Sequence, residues 1–178
     1  MNKKRVLVAM IGLLLAALLA GCASTPPEDV LIQDSRDTLQ RFIDRDPGLQ
    51  AWVDHAHSYA IFPEIGKGGL GIGASFGRGI VFENGQAIGR TSASQGTIGA
   101  QIGAQTFSQV IFFQDDAALR TFQRENLEFS AQATAVAARS GAAATTSYER
   151  GVAVFILVRG GLMAEATIGG QKFRYAPL

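Results

Sequence analysis

Residues Gly66 to Gly79 read GKGGLGIGASFGRG, and seven of the fourteen are glycine. Fragments of two chemistries lie in this stretch. Gly69-Leu70-Gly71-Ile72-Gly73-Ala74 fits the relaxed dinucleotide fingerprint, whose glycines let backbone approach a pyrophosphate at a helix N-terminus. Gly73-Ala74-Ser75-Phe76-Gly77 fits the G-x-S-x-G of a nucleophile elbow. Just upstream, His55 and His57 make an H-x-H pair beside Asp54. Lys67 and Arg78 bracket the glycine run, and Arg36, Arg41 and Arg45 precede it. These five cations are the residues able to point at, or fork onto, a phosphate.

Each chemistry needs particular elements around it. The dinucleotide fingerprint requires a strand before the glycines and a helix opening after them. Pro63 breaks the chain before this run, and residues 74–82 form helix poorly. An α/β-hydrolase places its histidine after the serine, whereas both histidines here precede Ser75. The H-x-H pair has no evident third ligand, and a catalytic zinc wants three and a structural one four. Asp115-Asp116 suits a helix N-terminus rather than acid–base work. The expectation is therefore no enzyme, no metal and no cofactor. The glycine run reads instead as a strand of period two: Leu70, Ile72, Ala74 and Phe76 alternate with Gly71, Gly73, Ser75 and Gly77. One face is apolar and the other almost lacks side chains. Such a strand serves tight packing or leaves room for something flat or apolar. Ile98 to Gln105, a tandem Ile-Gly-Ala-Gln, repeats the device.

The N-terminus carries the strongest targeting signal. Lys3, Lys4 and Arg5 precede an apolar run, Val6 to Ala20, which closes on Leu19-Ala20-Gly21-Cys22. Positive charge followed by a short apolar core is a secretory signal rather than a spanning helix. With cysteine at the cleavage point it resembles the lipobox of bacterial lipoproteins. That resemblance implies a signal peptide over 1–21, acylation of Cys22 as the lipid-attachment residue, and a tether over 22–28. Cys22 is the only cysteine, so no disulfide competes for it. Ala23 rather than Asp at the next position resembles the pattern sorted to the outer membrane, facing the periplasm. Three of the 16 basic residues lie in the signal, which leaves 13 against 15 acidic ones. No global positive field exists to draw this domain onto nucleic acid, so an anionic partner must meet a local patch.

Residues 29–178 read as one domain. Glu28 to about Asp46 is helical, with Ile32, Leu39 and Ile43 on one face, flanked by Leu31, Ser35 and Phe42. Pro47-Gly48 ends it, and a second helix runs from Leu49 to about His57. Tyr59-Ala60-Ile61-Phe62-Pro63 is an apolar strand closed by proline. Asn84-Gly85, between strand-like runs, is a hairpin signal. Phe107 to Phe113 is a strand, and Asp115-Asp116 opens a helix to about Glu125. Leu127 to Ala138 fits strand or helix, with alternation favouring strand. Ser140 to Ser147 is a small-residue loop. Val152 to Val158, apolar on both faces, is a central strand. Leu162 to Ile168 and Lys172 to Tyr175 complete the sheet. The fold class is α+β: N-terminal helices packed on a mostly antiparallel, glycine-rich sheet, curled or barrel-like, with one inserted helix.

Several blocks in this order carry a family resemblance. They are Tyr59 to Pro63, Gly68 to Gly73, Gly77-Arg78-Gly79, Gly99 to Gln105, the acidic helix start at Asp115, and Gly160 to Phe173. Together they resemble the SYLF domain, and the last resembles its bacterial lipoprotein branch. What the resemblance implies is lipid binding. Eukaryotic members bind phosphoinositides, partly through an N-terminal amphipathic segment, and some fungal members bind and bundle actin. The expected partner is a membrane lipid, an anionic phospholipid or a phosphoinositide-like head group. Lys67, Arg78, Arg36, Arg41 and Arg45 are the head-group candidates, with acyl surface against the glycine-lined sheet. The alternative is a non-catalytic structural or protein-interaction module of the cell envelope.

Overall fold

The computed structural model describes residues 27–124, 136–160 and 170–178, with side chains left out of account at 69–72, 97–104 and 159–160. Cys22, the signal, most of the tether, most of Leu127 to Ala138 and the strand expected over Leu162 to Ile168 lie outside the described residues. The elements are α1 (Glu28–Arg45), α2 (Leu49–His55), β1 (Ser58–Glu83), β2 (Gln86–Phe113), α3 (Asp116–Gln123), β3 (Val136–Ala137), α4 (Ala142–Thr145), β4 (Val152–Gly160) and β5 (Lys172–Pro177).

One hairpin organises the molecule. β1 and β2 pair antiparallel from Ser58↔Phe113 to Glu83↔Gln86. Asn84 and Gly85 turn the chain with φ of 50° and 76°, the two positive values a type I′ turn demands. β4 pairs antiparallel with the Thr106–Phe113 part of β2, and β5 with Gly89–Ser94. The two-residue β3 adds to β4 in parallel. β4 thus lies between β2 and β3, the central position expected of Val152 to Val158.

Stretched out, a strand as long as β1 would span roughly 85 Å. Its ends instead meet: His57 Nε2 lies 3.0 Å from Glu83 Oε1, and Tyr59 stacks on Phe82 with centroids 5.5 Å apart. The His57–Glu83 approach is ionic in distance but lacks hydrogen-bond geometry. Register shifts at Phe62/Ile65, Leu70/Ile72 and Val81/Phe82 bend the hairpin, as bulges do. The result is a curled sheet that does not close into a barrel. Where the two halves of β1 cross, glycine is obligatory. A Cβ on Gly79 would sit 2.2 Å from the Ile61 carbonyl oxygen, and one on Gly77 would sit 2.7 Å from that of Glu64.

The curl creates two apolar compartments. Phe62, Ile65, Val81, Phe107, Ile111, Phe113, Val154 and Phe173 fill the first, with Leu119 and Phe122 of α3 packed into it. Asp115 caps α3 by accepting from Ala118 N at 2.8 Å. Tyr59, Ile61, Ile80, Phe82, Val110, Phe112 and Phe155 form the second, covered by Leu31, Phe42 and Leu49. Successive residues at the two ends of β1 and along β4 alternate between compartments, so these segments read as unbroken apolar runs.

Three sequence expectations need correction. Pro63 does not close a strand; β1 continues through it. Its missing N–H falls at the first bulge, where no ladder bond is lost, and its carbonyl accepts from Ser108 Oγ at 2.7 Å. The buried stripe of α1 is Leu31, Ser35, Thr38 and Phe42, with Ile32, Leu39 and Ile43 only half-buried beside it. Ser35 and Thr38 tolerate burial because their hydroxyls donate to the carbonyls of Leu31 and Asp34, at 2.8 and 2.7 Å. Finally, 140–147 is not only loop: α4 forms within it, against Asp46. That buried carboxylate accepts from Gly48 N and Gly141 N, each at 3.2 Å, and from Ala143 N at 2.7 Å. Burial pushes its pKa up, but the backbone donors outweigh burial and hold it below the ordinary carboxylate value. Composition alone could not reveal a helix whose anchor lies nearly a hundred residues upstream.

Candidate functional site

Alternation along the outer half of β1 is inverted relative to simple burial. Gly73, Ser75, Gly77 and Gly79 point inward and are buried, whereas Ala74 and Phe76 are exposed. The inner face must be side-chain-poor because the other half of the strand crosses it. The apolar face is therefore turned out, and Phe76 remains 52% exposed. Ser75 pairs with Gln95 inside continuous strand, without the strand-to-helix turn that an elbow needs.

Registers across β1, β2 and β5 define what surrounds Phe76. Directly opposed residues share a face. One row reads Phe76, Ser94, Lys172; the next reads Arg78, Ser92, Arg174; the third reads Ile80, Arg90, Ala176. At about 4.8 Å between strands and about 6.8 Å between rows, four cations and one aromatic ring occupy a patch roughly 10 by 14 Å. Arg90, Lys172 and Arg174 are exposed and Arg78 is half-buried. The Arg78 guanidinium lies 5.7 Å from the Phe76 ring centroid, within cation–π range. Among the described residues, only Arg90 of these four forms an ion pair, with Glu28 of α1 at 3.5 Å. That contact sets the N-terminus of α1 at the third row; beyond it the helix covers Ile80 and Phe82, while Phe76, Ser94, Lys172 and Arg174 of the first two rows are exposed.

The expected head-group residues divide. Arg78 lies in the patch. Lys67 follows Ile65 by two positions and so shares its inward face, opposite to that of Arg78; the structure does not bring the two together. On α1, Arg36 lies with its guanidinium 6.0 Å from the Phe82 ring. Arg41 is half-buried and donates to Thr38 Oγ1. Arg45 is exposed at the opposite end of α1 from Glu28. The three are thus spread along the helix rather than gathered. Of the histidines, His55 bonds Ala51 O through Nδ1 at 2.7 Å, and His57 faces Glu83.

Sequence reasoning missed Phe76, Arg90, Lys172 and Arg174 as site residues. Part of their signal was present, since Lys172 and Arg174 stand at alternate strand positions. It becomes a site only when pairing brings β5 beside the first part of β2 rather than beside β4.

An exposed cationic and aromatic face on an open antiparallel sheet has the chemistry to meet an anionic or amphiphilic partner. Comparison with known proteins agrees. The family model Ysc84, described as Las17-binding protein actin regulator, matches residues 94–175, from within β2 into β5. The chain is also 28% identical over 152 residues to Beta cell expansion factor A of Aeromonas veronii, covering 81% of this chain. It spans 56% of that relative's length. Over residues 94–175 the chain is similar to the Ysc84, or SYLF, family, and the relative from Aeromonas veronii is a distant member of that family. That family is one of non-enzymatic binding domains known for lipid binding, and the likeness supports a general lipid-binding or interaction module.

Proposed function

We propose that this chain is a bacterial envelope lipoprotein, acylated at Cys22 and facing the periplasm from the outer membrane, whose SYLF domain binds anionic lipid through the outer face of β1, β2 and β5. The observation that carries this reading is the gathering of Arg78, Arg90, Lys172 and Arg174 around Phe76. With these four set aside, the chain after the signal holds nine basic against 15 acidic residues, so these charges are segregated rather than typical. Near an anionic membrane each such cation contributes about 1 kcal/mol, screened within a Debye length. Arg78 and Arg174, in one row on either side of the Ser92 hydroxyl, are the best placed for phosphate.

Liposome co-sedimentation of the domain beginning at Ser24 tests this. Salt-sensitive pelleting is expected with vesicles rich in phosphatidylglycerol or cardiolipin, and none with zwitterionic vesicles. Reversing Arg78 and Arg174 to Glu abolishes it. Absence of pelleting with every vesicle would sink the lipid reading and direct the search to a protein partner.

A further inference from the structure

Resting on that reading, we propose that the domain docks on the surface of an intact anionic bilayer with the outer face of β1, β2 and β5 against it and the Phe76 ring inserted below the phosphates. Phe76 is the most exposed of the described large hydrophobic side chains. Its neighbours make it project. Ser94 lies opposite it, Ala74 precedes it by two positions, and Gly96 pairs with Ala74. The ring therefore stands above a floor of small residues, and its large companion on β1 is Arg78, 5.7 Å away.

That shape decides among anionic partners. A free phosphate, or a single head group taken out of its membrane, needs donors converging on a hollow and gains nothing from a projecting ring. A bilayer surface uses both parts. The ring enters the acyl boundary while long basic side chains hold their charges at head-group level. Lys172, beside Ser94, and Arg174, beside Ser92, surround the ring from the β5 side. The geometry of the chain agrees. Glu28, bonded to Arg90 at the third row, follows Cys22 by six residues, a reach of at most about 20 Å. An anchor at Cys22 and the docking face would then meet the same leaflet.

The test uses the full chain reconstituted with phosphatidylcholine vesicles, with or without phosphatidylglycerol, carrying brominated acyl chains. Trp52 is the chain's one tryptophan, so Phe76→Trp is made in a Trp52→Phe background. An N-terminal anchor holds the protein on both vesicle types; only face-down docking responds to the anionic lipid. The expected result is a blue-shifted emission from the introduced indole, quenched by brominated lipid in the phosphatidylglycerol vesicles alone. Adding Lys172→Glu and Arg174→Glu should remove the quenching, each lost cation alone weakening the partition about five-fold. Glycerol phosphate in solution should leave the emission unshifted. A second measurement avoids the Trp52 change: Phe76→Ser, at an exposed position, should weaken vesicle pelleting of the otherwise unaltered domain roughly ten-fold. Normal pelleting with the introduced indole still in water, or with Phe76→Ser indistinguishable from the parent, overturns the insertion and leaves lipid binding standing. Neither pelleting nor quenching overturns both.

Discussion

Gly79→Ala tests whether the strand crossing shapes this sheet. The added Cβ would lie 2.2 Å from the Ile61 carbonyl oxygen, 2.9 Å from Phe62 Cδ1 and 3.0 Å from the Ile61 carbonyl carbon. Relief to ordinary contact needs a shift of about 1 Å between two backbone segments. Neither can move alone, because Ile61 pairs with Val110 and Gly79 with Thr91. Overpacking costs about 1–3 kcal/mol, and the upper end, about 3 kcal/mol, applies where backbone rather than side chain must yield. The loss of glycine's freedom in the unfolded chain returns about 0.4–1 kcal/mol. The net is a destabilisation of about 2–3 kcal/mol, or roughly 4–12 °C in Tm for a domain of this size. Gly66→Ala and Gly96→Ala are the controls, since a Cβ at either meets nothing within 4 Å. They should be neutral or slightly stabilising. Thermal unfolding followed by circular dichroism reads all three. If Gly79→Ala melted with Gly66→Ala, the crossing would not demand glycine and the account of the curl would fall.

The remaining predictions concern buried polar groups and the inner aromatic cluster. Asp46→Asn should cost about 1.5–3 kcal/mol in urea unfolding, because a charged acceptor of three backbone donors is lost. Because the folded pKa of Asp46 lies below its unfolded value, its contribution is fully present above the unfolded pKa of about 3.9 and is lost as pH falls through the folded pKa. The stability gap between parent and Asp46→Asn should therefore be flat from neutral pH to about 5 and shrink below about 4, and a gap constant to pH 2 would refute the assignment. Gln109 and Gln171, both fully buried, exchange amide hydrogen bonds at 3.1 and 3.3 Å. Gln109→Leu alone should cost about 1–3 kcal/mol by orphaning Gln171, whereas the Gln109→Leu, Gln171→Leu pair should cost less than the sum of the singles. Phe122→Ala, emptying the space beside Phe113 and Phe173 at centroid distances of 5.0 and 5.1 Å, should cost about 3–5 kcal/mol by denaturant midpoint.

Much of the architecture was legible because local chemistry and tertiary packing agree. Period 3.6 marked α1, Asn84-Gly85 marked the turn, and two-sided apolarity marked the central place of β4. What failed did so where a distant contact overrode a local rule. Pro63 reads as a stop, yet a bulge absorbs it within β1. The stretch around Ala142 to Thr145 reads as loop, yet Asp46 organises it from across the chain. The stripe of α1 was shifted towards its larger aliphatics because buried serine and threonine look polar until their hydroxyls bond the preceding turn.

By itself the sequence determined the class of fold, the order of its main elements, and that its glycine stretch is an alternating strand with one face almost bare of side chains. These follow from periodicity, turn stereochemistry and the absence of a side chain, which act within a few residues. Only the tertiary structure decided which side of the glycine strand faces out and which cations share a face. The crossing of β1 fills the inward side with backbone, which forces Phe76 towards solvent. The pairing of β5 with the first part of β2 then brings Lys172 and Arg174 beside it from nearly a hundred residues away. Strand register is a long-range quantity, and the candidate site depends on it.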